Sequence, residues 1–173
     1  PGFRPADESN SSRTNVGVYA DLETNLSPKV LANVAGRFED YSDFGSLFTG
    51  KGAVRFQPSP KFTVRAAVSI GFRAPGLGQS HFSHVTTNVI GGVVTDVLIA
   101  PVGVSAALLF GAEPLKAEKS VNLSAGFAFS PSDNVTFTAD AFQINLNDRI
   151  LLGATFDDSV SLALLAANGF NNE

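Results

Sequence analysis

Phe62-Thr63-Val64-Arg65-Ala66-Ala67-Val68-Ser69-Ile70-Gly71-Phe72-Arg73 reads with a period of two. Phe62, Val64, Ala66, Val68, Ile70 and Phe72 fall on one face of an extended strand, and that face is wholly apolar. Thr63, Arg65, Ala67, Ser69, Gly71 and Arg73 fall on the other, which carries two arginines. Successive side chains of a strand point to opposite faces, so a period of two predicts a β-strand with two different environments.

The same alternation recurs upstream. Val16, Val18, Ala20 and Leu22 oppose Gly17, Tyr19, Asp21 and Glu23. Ala32, Val34, Gly36 and Phe38 oppose Asn33, Ala35, Arg37 and Glu39. Phe48, Val54 and Phe56 oppose Lys51, Arg55 and Gln57, with Gly50 and Gly52 thinning the apolar face. Downstream, Val121, Leu123, Ala125, Phe127 and Phe129 oppose Asn122, Ser124, Gly126 and Ala128. A sixth segment breaks phase. Val135, Phe137, Ala139 and Ala141 are apolar at odd positions, then Phe142, Ile144, Leu146 and Ile150 at even ones. One extra residue near Ala141 and Phe142 would restore a single apolar face, so a β-bulge is expected there.

Connections alternate in length. Asn25–Lys29, Pro58–Lys61 and Ser130–Asn134 are rich in Pro, Ser, Asp and Asn, which set tight turns. The other ends are longer: Asp40–Leu47, about Ala74–Lys119, and everything after Gly153. The pattern predicts six strands as three hairpins, with turns on one side and loops on the other.

A soluble β-sandwich also has one apolar and one polar face. Three features favour a membrane-spanning barrel instead. The strands run about 10 to 13 residues, against about 5 to 6 in soluble proteins. The short turns share one side. Phenylalanines sit near both ends of the apolar face: Phe56, Phe62, Phe129 and Phe137 by the turns, Phe38, Phe48 and Phe72 by the loops. Phe62 to Phe72 spans about 33 Å at about 3.3 Å per residue. At a tilt of about 40° this projects to about 25 Å, the height of a barrel's apolar band.

Composition agrees. Charged residues are 16% of the 173 residues, hydrophobic residues 44%, and Phe alone contributes 15. So few charges cover a water-exposed surface poorly. The net charge of -4 offers no basic footprint for nucleic acid. There is no cysteine, hence no disulfide framework or thiolate site. The most apolar run, Val93–Ala112, is interrupted by Asp96, Pro101 and Gly103, so no transmembrane helix is read. With Pro1 at one end and Asn168-Gly169-Phe170-Asn171-Asn172 before Glu173 at the other, the chain is expected to be an internal piece.

Several phrases resemble recurring barrel phrases of TonB-dependent receptors. They are Glu39-Asp40-Tyr41-Ser42-Asp43-Phe44-Gly45, Gly71-Phe72-Arg73-Ala74-Pro75 and Pro114-Leu115-Lys116-Ala117-Glu118-Lys119-Ser120. Ser130-Pro131-Ser132-Asp133-Asn134-Val135-Thr136 and Asn147-Asp148-Arg149-Ile150 follow in the family's order. The resemblance implies an all-β fold: part of an antiparallel transmembrane β-barrel, residues 1–173, with a long extracellular loop at 75–118. It implies a Gram-negative outer membrane, and lipid and lipopolysaccharide around the barrel. It further implies an N-terminal plug that contacts TonB, and energy-coupled uptake of a ferric siderophore, cobalamin, haem or oligosaccharide. The plug and closing strands have no match here. No cofactor is expected.

Alternative readings are a passive porin or adhesin barrel and a soluble carbohydrate-binding sandwich. An enzyme barrel ranks behind both. Asp157 and Asp158 are adjacent with no partner base, and the glycines form no phosphate loop. Candidate ligand-binding residues are Arg73, His81, Phe82, His84 and Phe110. Arg73 ends a strand on the loop side. It would face the ligand mouth, or pair with carboxylates such as Glu39 or with the plug. His81 and His84 could hold a metal complex, but no third ligand clusters with them, so solvated loop histidines and no metal centre are expected. Val102–Phe110 is apolar and partly helix-compatible. Arg65, Arg55, Arg37, Glu39, Asp21 and Glu23 are expected to pair across strands.

Overall fold

In the computed structural model the described residues are 3–170; Pro1, Gly2 and the last part of the loop-like C-terminal stretch, 171–173, lie outside them. Eight strands form: β1 (Asn15–Ser27), β2 (Val30–Tyr41), β3 (Gly45–Ser59), β4 (Phe62–Arg73), β5 (His84–Ile90), β6 (Val93–Ile99), β7 (Glu118–Ser132) and β8 (Val135–Asn147). Among the described residues three short α-helices, α1 (Leu77–His81), α2 (Ser105–Leu109) and α3 (Ser159–Ala167), and a 3-10 turn at Pro5–Asp7 accompany them. No helix among the described residues is long and apolar enough to cross a membrane, which does not bear on strands.

The chain divides into two compact units. One, Arg13–Ala74 with Ala117–Arg149, is a single antiparallel sheet of six strands in the order β1-β2-β3-β4-β7-β8. Three hairpins build it, as the alternation predicted. Each closes on two residues, Pro28-Lys29, Pro60-Lys61 and Asp133-Asn134, tighter than the sequence suggested. The register shifts just before each turn, at Asn25/Ser27, Phe56/Ser59 and Phe129/Ser132. The bulges therefore sit where the chain reverses.

The bulge expected at Ala141 and Phe142 is absent: β7 and β8 pair without interruption from Lys119↔Asn147 to Phe129↔Phe137. The phase change is real, but the faces keep their alternation. Phe142, Ile144 and Leu146 lie on the polar face, opposite Ser124, Asn122 and Ser120. Gln143, Asn145 and Asn147 lie on the apolar face, above Ala141. The change of residue character at Ala141 is therefore not a slip of register.

The apolar face is uncovered. Leu22 is 67% exposed, Phe48 63% and Val68 47%, while the buried hydrophobic residues among those described are Val85 and Ala117. Phenylalanines line up in cross-strand rows: Phe62 pairs with Phe129 and Phe129 with Phe137 near the turns, and Phe38 pairs with Phe48 near the loops. Aromatic cross-strand pairs stabilise such a row.

The second unit gathers residues up to Ser12, Pro75–Lys116 and the chain from Ile150 onward. The segment read as a loop at 75–118 holds α1, the β5–β6 hairpin and α2. The hairpin turns on Gly91 (φ 59°) and Gly92 (φ 85°), the left-handed pair that a two-residue hairpin turn requires.

Candidate loop-face site

The loop end of the six-stranded sheet is a packed cluster. Tyr41 ends β2, and its ring stacks on Phe44 at 4.5 Å and meets Phe72 edge-on at 5.9 Å. The Arg13 guanidinium lies 5.0 Å from the Phe44 centroid and donates to both Asp43 oxygens, the shortest contact being 2.6 Å. The phrase Glu39–Gly45 thus carries the end of β2 through a short turn into β3, and Arg13, just before β1, clamps that turn. Glu39 is 6% exposed and accepts from Arg37 at 2.6 Å, Tyr41 at 3.2 Å and Asn15 at 3.3 Å.

Arg73 sits at the end of β4 and forks onto Glu118 of β7, at 2.7 and 3.1 Å. The two face each other in the register. Its partner is therefore Glu118 and not Glu39, which Arg37 holds. The expected pairing of strand charges is found in other forms. Arg65 reaches Asp140 across β7, Arg37 pairs two residues along its own strand, and Asp21 accepts from Asn33. Arg55 lies opposite Arg65, a like charge.

In the second unit three chain segments meet through aromatic rings. Phe3 stacks near His84 at 4.6 Å and meets Phe82 edge-on at 6.3 Å, and Phe82 lies 6.1 Å from His84. Beside them the Ser83 hydroxyl donates to Asp7 at 2.6 Å. Hydrogen bonds from Arg4, then from Ser83, hold the Asp7 carboxyl far below the usual carboxylate range. Phe110 closes α2 and stacks flat on Phe156, 4.1 Å apart at 13°. Asp158 caps α3 through the Val160 and Ser161 amides, and hydrogen bonds from Ser161 lower its pKa.

Of the candidate residues, Phe82 and His84 are brought together and Phe110 joins the C-terminal segment. His81 ends α1, exposed. His84 departs from the solvated histidine expected: it is half-buried, and its Nδ1 is buried with no protein hydrogen-bond partner. Among the described residues no three His, Asp or Glu side chains cluster as metal ligands. Two open depressions mark the sheet. The larger, about 740 Å³, is lined by residues such as Ala32, Val54, Ala66 and Ala125, with Asn33, Ser124 and Gln143 as its polar groups. The smaller, about 350 Å³, is lined by Glu23, Lys51, Arg55, Arg65 and Asp140.

Over residues 1–172 the chain matches the family described as TonB dependent receptor-like, beta-barrel. The chain belongs to the TonB-dependent receptor family. Solved structures agree with the barrel fold of this family. The siderophore receptor PirA from Acinetobacter baumannii is similar with a TM-score of 0.63 at 19% identity, covering 79% of this chain and 18% of that one. PirA from Pseudomonas aeruginosa is similar with a TM-score of 0.61 at 23% identity, covering 78% and 24%. A variant of the ferric enterobactin receptor PfeA from Pseudomonas aeruginosa gives 0.63 at 19%, covering 79% and 18%. The chain thus spans about a quarter or less of the receptors it matches. No curated protein matches it.

As part of a TonB-dependent receptor barrel the sheet explains itself. The family is one of outer-membrane receptors, not of enzymes. An apolar outward band is a general feature of outer-membrane barrels. The sequence missed the Arg13–Asp43–Phe44 clamp and the Phe110–Phe156 stack. Arg13 stands outside every alternating segment, and Phe156 lies in a stretch with no period.

Proposed function

We propose that the chain is the middle to later part of an energy-coupled transporter that imports a ferric siderophore across the outer membrane. The observation that carries this is the family match along nearly the whole chain, on a sheet whose apolar face is left open. Siderophore receptors stand among the similar structures and support that ligand class. On this reading a plug, supplied by another part of the protein, fills the barrel, and TonB pulls on it using the inner-membrane proton gradient. The chain itself breaks no bond.

The apolar face has the slant of a membrane-spanning barrel. Its loop-side limit is Val16 on β1 and Ala141 on β8. Ala141 pairs through Ala125, Ala66, Val54 and Ala32 to Thr24, eight residues from Val16. The limit therefore steps by about 27 Å, at about 3.4 Å per residue, across five strand intervals that total about 24 Å. The resulting slant of about 48° is close to the tilt of about 45° of transmembrane strands. Gln143, Asn145 and Asn147 then stand outside the lipid, which is why β8 changes phase.

The long segment joins β4 to β7 on the loop side, where loops on a rigid scaffold carry binding residues. We assign ligand capture to it, through Phe82, His84, Phe110 and the β5–β6 hairpin, with Arg73 and His81 at its base. Replacing Thr87–Asp96 by Asn-Gly keeps Thr86 opposite Val97 and removes the hairpin's outer half. In the full-length receptor this change abolishes siderophore-dependent growth on scarce iron while the barrel stays folded and heat-modifiable. Unchanged growth rejects the capture role, and absence of any siderophore-dependent growth in the parent rejects the transport reading.

A further inference from the structure

Beyond Ala141 the two faces of β8 exchange character. Gln143, Asn145 and Asn147 stand on the face that is apolar elsewhere, and all three are exposed. The neighbouring strand does the same at its loop end. Lys119 of β7 lies on that face, directly opposite Asn147 on one side and Phe72 of β4 on the other. It is exposed, and among the described residues no carboxylate pairs with it. Glu118 lies on the other face, held by Arg73. Asp148 and Arg149, which follow β8, offset each other in charge.

Height in the membrane says what meets this patch. The slanted limit of the apolar band passes Ala141 on β8 and falls near Leu123 on β7, one strand over. Lys119 and Asn145 are each four residues beyond it. At about 3.4 Å per residue and a slant of about 48°, that places both about 9 Å above the hydrocarbon. The headgroup layer is about 5 to 8 Å deep on each side of the bilayer core. A lysine stem reaching down from 119 therefore sets its ammonium among the headgroups. Below it Leu123 and Ile70 continue the apolar face, exposed and suited to acyl chains. Gln143 donates to the Asn145 side-chain oxygen at 3.3 Å, which leaves the Asn145 amide hydrogens for an oxygen of a ligand. On β2 and β3 the outward loop-side residues are Phe38, Asp40, Ser46 and Phe48, with no cation, so the patch is confined to β7 and β8. Its occupant has acyl chains below, hydrogen-bonding oxygens above, and a negative charge that complements Lys119.

We propose that the outward loop end of β7 and β8 is a docking surface for a phosphorylated glycolipid, the lipid A headgroup of lipopolysaccharide. Lys119 holds a phosphate, and Asn145 and Asn147 bond the sugar. The proposal rests on the membrane-spanning barrel reading above and is independent of what the barrel carries.

The test uses the full-length receptor, purified in neutral detergent and stripped of lipid. The probes are bisphosphorylated lipid A, the same lipid with its phosphates removed, and inorganic phosphate. The bisphosphorylated form is expected to bind several-fold tighter than the dephosphorylated one, and less so as salt rises and screens the pair. Lys119→Gln is expected to weaken the bisphosphorylated form about fivefold, the effect of one lysine at an anionic lipid surface, and to leave the dephosphorylated form unchanged. Lys119→Arg is expected to keep the parental affinity. Lys29→Gln, which removes an exposed lysine at a turn of the same sheet, is expected to change neither. Millimolar inorganic phosphate is expected not to compete. Equal binding of the two lipids by the parent, or parental affinity in Lys119→Gln, overturns the site. An equal loss in Lys29→Gln reduces the effect to net charge and overturns it as well, and competition by inorganic phosphate overturns the lipid as its occupant. Each of these failures leaves siderophore uptake standing, because the patch lies on the outer wall of the barrel.

Discussion

Arg65 on β4 and Asp140 on β8 form a forked ion pair across the intervening strand β7, and they meet over Gly126. Gly126 pairs with Arg65 on one side and Asp140 on the other. A side chain at 126 would collide with the Asp140 carboxylate and approach the Ala139 carbonyl oxygen at 2.8 Å. The glycine is what lets two strands that do not touch share a charge pair.

Gly126→Ala is therefore expected to displace Asp140 and destabilise the barrel by about 1 to 3 kcal/mol, the usual range for overpacking. Most of that is steric, because a half-exposed ion pair contributes only about 0 to 1 kcal/mol. Gly52→Ala, whose nearest neighbour is a Val68 methyl at 3.8 Å, is expected to cost less than about 1 kcal/mol. Denaturant titration of the full-length barrel in bilayers compares the two. Equal midpoints would remove the close approach from the account.

Glu39 gives a second expectation. Three donors converge on one buried carboxylate oxygen. Glu39→Ala leaves Arg37, Tyr41 and Asn15 without that acceptor, at a cost of about 1 to 3 kcal/mol. Glu23→Ala, at an exposed position on the same face, is expected to stay within about 0.5 kcal/mol. The same titration reads the difference.

The lipid face is tested on β4. Val68 and Ser69 are neighbours on opposite faces. Val68→Arg is expected to cost about 2 to 4 kcal/mol near the midplane, and Ser69→Arg far less. Equal folding free energies in bilayers would sink the assignment of faces.

Sidedness is tested by labelling. Ser59 borders a tight turn and Asn88 lies on β5 of the long segment, and both are exposed. Cysteine at 88 is expected to react with an impermeant reagent on intact cells, and cysteine at 59 only after the outer membrane is opened. The reverse pattern would invert the topology.

β1, β2, β4 and β7 were legible because each face keeps one residue character along most of its length, so period two survives in the residues. The hairpin order followed from Pro, Ser, Asp and Asn at the reversals. Residues at β8 misled for a physical reason. A slanted strand leaves the apolar zone at Ala141 while its pairing continues, and a change of solvent reads in sequence like a slip of register. Residues 75–116 were illegible as structure because β5 and β6 are short, and the Gly91-Gly92 turn sits inside an apolar run that hides its alternation. Arg73 was read as a charge needing a carboxylate, but Glu118 lies 45 residues away and only the β4–β7 pairing brings it near. His84 could not be told from His81 by spacing; Phe3, from the far end of the unit, makes them different.

Energy coupling is the central claim, and iron uptake tests it most directly. Cells making the full-length receptor as their sole route for a radioiron-labelled siderophore are compared with cells lacking TonB, and with cells whose proton gradient has been collapsed. The account predicts that the labelled complex still binds the surface in all three, and that accumulation inside stops without TonB or without the gradient. Accumulation at the parental rate in either deprived state would contradict it and would make the barrel a passive pore.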